Sequence, residues 1–245
     1  DADSKGVRVV YEPGSRYVYS GGAFTLLQLV IEEVTGLSFE EYMKTYILLP
    51  LGMNESGFES IPAEKEVVSV VFNHQNEIAN GRFFAAKAAA GLYTSSSDLA
   101  SLALAMMLTE VNSQTVNILT DTTLREMYQP QPGLSMRTPY GLGYMLQILP
   151  SSGLTEVSHT GSNKPGWNSL ITTLPQKGEG LVILTNSPGG LQLRQELGKD
   201  WLFWTTGEVS FADRINKMVN GLVFMLPSWI IGMLLLLLIP KIKFR

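Results

Sequence analysis

The 245-residue chain is 45% hydrophobic and 16% charged, enough apolar content for one large domain or two small ones with a buried core. Four cations from Lys217 onward account for 4 of the 18 Lys and Arg, so residues 1–216 hold 14 against 22 Asp and Glu, a balance of −8 within a total of −4. An acidic body without clustered cations argues against nucleic acid as a partner; the lack of cysteine excludes disulfides and thiolate chemistry; and two histidines far apart, His74 and His159, make a zinc site improbable, so neither metal nor cofactor is expected.

In chain order, Phe24 to Val34 reads as a helix closed by Gly36, and Ser38-Phe39-Glu40-Glu41 has the form of a capping box for the next. That second helix places Phe39, Tyr42, Met43, Tyr46 and Ile47 on one face and stops before Pro50. His74, among Asn73, Gln75 and Asn76, reads as a polar surface loop, and Ala85 to Gly91 as a small apolar loop or groove wall. Ser95-Ser96-Ser97-Asp98 opens a helix through about Leu108, and Thr120-Asp121 opens one through Tyr128. The pattern then changes: Tyr140 to Leu149, Glu156 to Thr160, Asn168 to Leu174 and Leu181 to Asn186 read as strands, followed by a helix from Leu191 to Thr205. Helices first and consecutive strands later predict an α+β fold with an antiparallel sheet.

Val219 to Ile239 is an uncharged run of 21 residues. As a helix it reaches ~30 Å, the thickness of a bilayer's hydrocarbon core, so a transmembrane helix over about 219–239 is expected. Lys241, Lys243 and Arg245 follow it and Arg214 and Lys217 precede it, a bias toward a cytoplasmic C-terminus and a body outside the cytoplasm. The expected division is a folded body over 1–212 and an anchor over 213–245.

Six segments, in order, carry a resemblance. They are Pro13 to Gly22 (with Tyr19-Ser20-Gly21), Glu32-Glu33-Val34-Thr35-Gly36, Pro50-Leu51-Gly52-Met53, Ala90 to Ala100, His159-Thr160-Gly161 and Leu184-Thr185-Asn186. Together they resemble the serine β-lactamase and penicillin-binding-protein superfamily, in its class C-like, esterase and D-peptidase branch. The resemblance implies a helical subdomain beside an antiparallel sheet flanked by helices, with the site between them. It also exposes a gap, because no Ser-x-x-Lys, the segment that holds the family's nucleophile, occurs anywhere in the 245 residues. The chain therefore reads as the C-terminal portion of such a domain, incomplete at its N-terminus, with an unpaired sheet edge and exposed core surface expected.

Roles carried over by the resemblance follow the motif positions. Tyr19 becomes the general base and acid, a role that requires lowering a tyrosine pKa from ~10 by nearby positive charge. Ser20 and Gly21 line the substrate, Gly21 standing where many relatives have an amide-binding Asn. His159, Thr160 and Gly161 replace the family's Lys-Thr-Gly and are expected along the substrate, and the Ser162 backbone N–H is expected in the oxyanion hole. The implied function is a membrane-anchored serine hydrolase acting on a small peptide, ester or β-lactam-like substrate through an acyl-enzyme. His159 and Gly21 favour D-peptidase or esterase chemistry, and a non-catalytic peptidoglycan- or peptide-binding module of the same fold is the alternative.

Overall fold

The computed structural model describes residues 8–58, 69–80, 84, 86–108, 116, 118–131, 139–209 and 211–238. Ala85 and the basic tail after residue 238 lie outside that set. Two compact units are present, Asp1–Trp201 and Leu202–Arg245, with the division falling inside a helix.

In the first unit, helix α1 (Gly21–Thr35) starts where Ser20 Oγ accepts the Ala23 N–H, and it ends at Gly36. Gly36 has φ 70°, a left-handed conformation that glycine adopts without steric cost, and its N–H returns to Glu32 O. Ser38 caps α2 (Phe39–Met43) by accepting the Glu41 N–H, as its sequence predicts. The expected single apolar face does not persist. Beyond Met43 the backbone widens into a π-helical turn over Lys44–Leu48, with Leu49 N–H reaching back to Lys44 O. The added residue per turn rotates the face, burying Leu48 and leaving Tyr46 exposed.

The His74 loop is the tip of a short hairpin, β1 (Val71–Phe72) and β2 (Ile78–Ala79), which sequence reading missed. Asn73 Oδ1 accepts the Gln75 and Glu77 N–H groups there, and Asn76 takes φ 60°. The small apolar segment contains α3 (Lys87–Ala90), whose Lys87 pairs with Glu40. Helix α4 (Ser96–Ala105) is capped by Ser95 accepting the Asp98 N–H, and α5 (Asp121–Met127) by Thr120 accepting the Thr123 N–H.

Strands β3 (Met145–Ile148), β4 (Thr155–Asn163), β5 (Trp167–Leu174) and β6 (Glu179–Thr185) form one antiparallel sheet in that order. Strand β3 is shorter than the expected Tyr140 to Leu149. Gly141 N–H bonds to Tyr144 O and Gly143 takes φ 91°, so the chain turns out of the ladder and only Tyr140 bridges back, to Met145. Helix α4 packs on one face, where Leu99, Ala103 and Met106 meet Leu146, Val157 and Ile171. Helix α6 (Gly190–Thr206) lies on the other; a Cβ at Gly198 would stand 3.1 Å from Leu170 Cδ2, so glycine permits close approach.

Two surfaces of this unit carry no cover among the described residues. The outer edge of β6 has no strand partner among the described residues; just past its end Asn186 O accepts the Phe72 N–H and Asn186 Nδ2 donates to Val70 O and Ser69 Oγ. On α1, Leu27, Val30 and Val34 are 54%, 54% and 79% exposed.

In the second unit, α7 (Phe211–Leu238) runs 28 residues and continues through Pro227. Glu208, buried, pairs with Arg214 at 3.0 Å, and Arg214 Nε donates to Val209 O, tying the first turn of α7 to the segment before it. Among the described residues no single helix is long and apolar enough to cross a membrane. The expected span is only partly among them: the side chains at 224, 226, 228, 232 and 234–238, and all of 239, lie outside.

The sheet's energetics are testable on one strand. Leu146→Ala removes a side chain 4% exposed in the α4 core and is expected to cost ~2–5 kcal/mol. Ile148→Ala, at a position 58% exposed on the same strand, is expected to stay within about 0.5 kcal/mol, and urea unfolding of both variants checks the contrast.

Candidate active site

Strand β4 is paired unequally on its two sides. Along β5 its partners run from Val157 opposite Thr173 to Asn163 opposite Trp167, whereas along β3 the ladder begins only at Met145 opposite Ser158. Leu149 N–H bonds to Leu154 O across the β3–β4 turn, which sets the phase: even-numbered residues of β4 direct their backbone groups toward β3. Thr160 and Ser162 are even. Past Ser158 there is no β3 to meet them, so their N–H and C=O groups line an open strand edge among the described residues.

The predicted residues of β4 all fall on this stretch. His159 and Gly161 alternate with Thr160 and Ser162, pairing opposite Ile171, Ser169, Leu170 and Asn168 respectively. Gly161 leaves room for the Ser169 hydroxyl: a Cβ there would stand 2.6 Å from Ser169 Oγ, which would have to rotate away. His159 makes no side-chain hydrogen bond or ion pair among the described residues, and burial pushes its pKa below the ordinary 6.5.

The tyrosine segment reaches the same end of the sheet. The Tyr17 and Tyr140 rings stand 4.7 Å apart, and Tyr140 bridges to Met145, the residue opposite Ser158. Burial raises the pKa of both Tyr17 and Tyr140, with charge on Tyr19 the smallest contribution to each. Tyr19 itself is 65% exposed. The Ser20 hydroxyl is occupied as the N-cap of α1, which gives it a helix-starting role at its motif position. Gly21 opens the helix beside α3, with a Cβ there meeting Ala89 Cβ at an ordinary 3.6 Å.

Sequence reasoning missed a polar network beneath β4. Arg194 of α6, 6% exposed, donates through Nη1 to Gly161 O, to Ser169 O at 2.9 Å and to Ser162 Oγ at 3.3 Å. Ser162 Oγ donates to Asn168 Oδ1 at 3.0 Å, and Asn168 Nδ2 donates to Gly166 O and Ser187 O, both at 3.0 Å. A sequence signal existed in Gly190, Arg194 and Gly198, a four-residue spacing with small residues that marks the face of α6 lying close on another surface.

A family model described as Beta-lactamase matches residues 2–201. The chain belongs to the beta-lactamase family. Among curated beta-lactamase relatives, Penicillin-binding protein 4* of Bacillus subtilis (strain 168) is 38% identical over 53 residues, covering 22% of this chain and 12% of that protein. A putative D-alanyl-D-alanine carboxypeptidase of Salmonella paratyphi B is 24% identical over 207 residues, covering 73% and 47%. The chain thus spans less than half the length of these relatives.

Among solved structures, the octameric penicillin-binding protein homologue from Pyrococcus abyssi matches with TM-score 0.60 and 28% identity over 76% of this chain and 44% of that one. A class C beta-lactamase matches with TM-score 0.63 and 21% identity over 76% and 56%, which supports the fold alone.

Because His159 is held below its ordinary pKa, the unfolded chain takes up its proton first as pH falls. Its stability contribution is complete above pH ~6.5 and is lost as pH falls through the lower folded value. His159→Gln is therefore expected to unfold at a urea midpoint that drops less between pH 7.5 and pH 5 than the parent's. An equal drop in both proteins would show that His159 does not carry this dependence.

Proposed function

We propose that this chain supplies the proton-transfer tyrosine and the substrate-lining strand edge of a membrane-anchored serine hydrolase, of D-peptidase or esterase type, whose nucleophile lies in a Ser-x-x-Lys segment outside the 245 residues. The observation that carries the reading is the open edge of β4, where Thr160 and Ser162 present backbone groups at the end of the sheet that the Tyr19 segment also reaches. An extended substrate lies on such an edge as an added strand, bonding to Thr160 and Ser162.

The chemistry then divides among named atoms. The serine Oγ attacks the substrate's carbonyl carbon while its proton passes to the Tyr19 oxygen, and the carbonyl oxygen becomes an oxyanion facing the Ser162 N–H. Collapse breaks the bond to the leaving amine or alcohol, which takes the proton from Tyr19; water then repeats the sequence to release the acid. His159 in place of lysine, its pKa lowered in a half-buried site, and Gly21 in place of an amide side chain support peptide or ester hydrolysis over β-lactam resistance. The Salmonella relative's description as a carboxypeptidase points the same way.

The anchor rests on α7, a continuous helix whose run from Val219 onward carries no charge and whose Val223, Met225, Trp229 and Met233 are 59–73% exposed. With the cations that follow it, this supports a body outside the cytoplasm. A non-catalytic peptide-binding module of the same fold is favoured by one fact, the absence of Ser-x-x-Lys within the chain.

A fluorescent penicillin and a fluorophosphonate separate these readings. The 245-residue chain is expected to give no covalent adduct, and the complete protein an adduct on a serine of its Ser-x-x-Lys segment. Binding of a peptide without any adduct on the complete protein would establish the non-catalytic module instead. In the labelled protein, Tyr19→Phe removes only the hydroxyl and is expected to lower ester turnover by ~100-fold or more; near-parental turnover would reject Tyr19 as the base.

The anchor has its own measurement. The chain is expected to remain in the membrane fraction after carbonate washing, and a truncation at Asp213 to leave it. Recovery of the untruncated chain without detergent would remove the membrane from the proposal.

A further inference from the structure

Arg194 is a buried cation with an unusual set of partners. Its Nη1 donates to Gly161 O at 2.5 Å and Ser169 O at 2.9 Å, and no carboxylate pairs with it among the described residues. Its Nε, also buried, finds no hydrogen-bond partner among the described residues. Burial lowers its pKa, but guanidinium stays charged at any ordinary pH. Among the described residues the partners of this positive charge are carbonyl dipoles and the Ser162 hydroxyl.

One of those carbonyls shares a peptide group with the open edge. Gly161 C=O and Ser162 N–H are the two ends of a single planar, conjugated amide, so they point in opposite directions. One nitrogen can reach both Gly161 O and Ser169 O because residues 161 and 169 are directly opposed, and converging carbonyls identify a pair that turns its backbone groups toward each other. That agrees with the phase set at Leu149 and Leu154, and it turns the Ser162 N–H outward.

Withdrawing electron density from the oxygen of an amide increases the positive character of its N–H. Hydrogen bonds in such a chain strengthen one another, and a charged donor does so most. We infer that Arg194 is a positioning residue that polarises the Gly161–Ser162 peptide, making the Ser162 N–H a stronger donor to an oxyanion than an unassisted amide. It rests on the proposed role of Ser162 in oxyanion binding. The network through Asn168 holds the Ser162 side chain on the α6 side of the sheet, so the same residue is fixed from below while its N–H is offered at the edge.

The test uses the complete protein and three variants, Arg194→Gln, Arg194→Lys and Arg194→Met. Kinetics on an ester are measured together with affinities for a boronic acid, which forms a tetrahedral anionic adduct, and for the carboxylic acid product. Gln keeps an N–H donor and loses the charge. It is expected to lower kcat roughly 3- to 10-fold, a fraction of the ~100-fold or more that loss of a whole oxyanion donor causes, and to weaken the boronate by the same factor. KM and product affinity are expected to stay within about 2-fold, because polarisation matters most when the oxygen is charged. Lys, which restores a cation, is expected to recover most of the loss; Met is expected to show the largest. Should Met fail to fold, the Gln and Lys pair still decides.

Unchanged kcat and boronate affinity in Arg194→Gln would overturn the inference while leaving the hydrolase reading intact. So would a parallel fall in product affinity, which marks a merely structural residue. If the parent protein forms no boronate adduct and turns over no ester, the reading of Ser162 fails and this inference with it.

Discussion

The arrangement of the site depends on one strand being paired for its whole length on one side and only partly on the other. β5 holds β4 from Val157 to Asn163, while β3 leaves it at Ser158. Had β3 continued, Thr160 and Ser162 would spend their backbone groups on a neighbouring strand, and no edge would remain for a substrate. The local cause is the Gly141–Tyr144 turn, where Gly143 takes a positive φ and Gly141 N–H closes on Tyr144 O. That turn also carries Tyr140 back to Met145, so the break in the ladder brings the Tyr17 to Tyr19 segment to the open end.

An open strand would be soft without support from beneath. Arg194 and Asn168 supply it, joining both strands of the β4–β5 pair and the Gly166 and Ser187 backbones through bonds that are buried or partly buried. A buried cation bonded to carbonyls is costly to place, which makes it more informative than another apolar contact. The helix bearing it comes close because Gly190 and Gly198 flank Arg194 at four-residue spacing; a Cβ at Gly190 would overlap Thr185.

Not every segment with a family resemblance is part of the site. In the Ala90 to Ala100 run, Asp98 is buried and accepts Glu55 N–H and Ser56 Oγ, each at 2.8 Å, and Gly57 bridges Tyr93. Those contacts fasten the chain after Met53 to the start of α4. The motif there serves the scaffold. The apolar residues exposed on α1, such as Val30 and Val34, are of another kind: a helix of this composition is stable when a face is covered, and no cover is present among the described residues.

The sequence by itself determined what depends on near neighbours. Ser38, Ser95 and Thr120 mark helix starts, since a side-chain oxygen satisfies an N–H only two or three residues on. Gly36 marks a helix end, alternation marks β4 to β6, and the ordered motifs mark the beta-lactamase family. The π-helical turn after Met43 and the early end of β3 rest on local bonds, Leu49 N–H to Lys44 O and Gly141 N–H to Tyr144 O, that no simple period announces. Tertiary structure decided the place of Arg194: it lies 33 residues from Gly161, and nothing in the intervening sequence states that a helix will fold back beneath that carbonyl. Local bonds are written in adjacent residues, whereas the polarity of a strand edge exists only once its neighbours are placed.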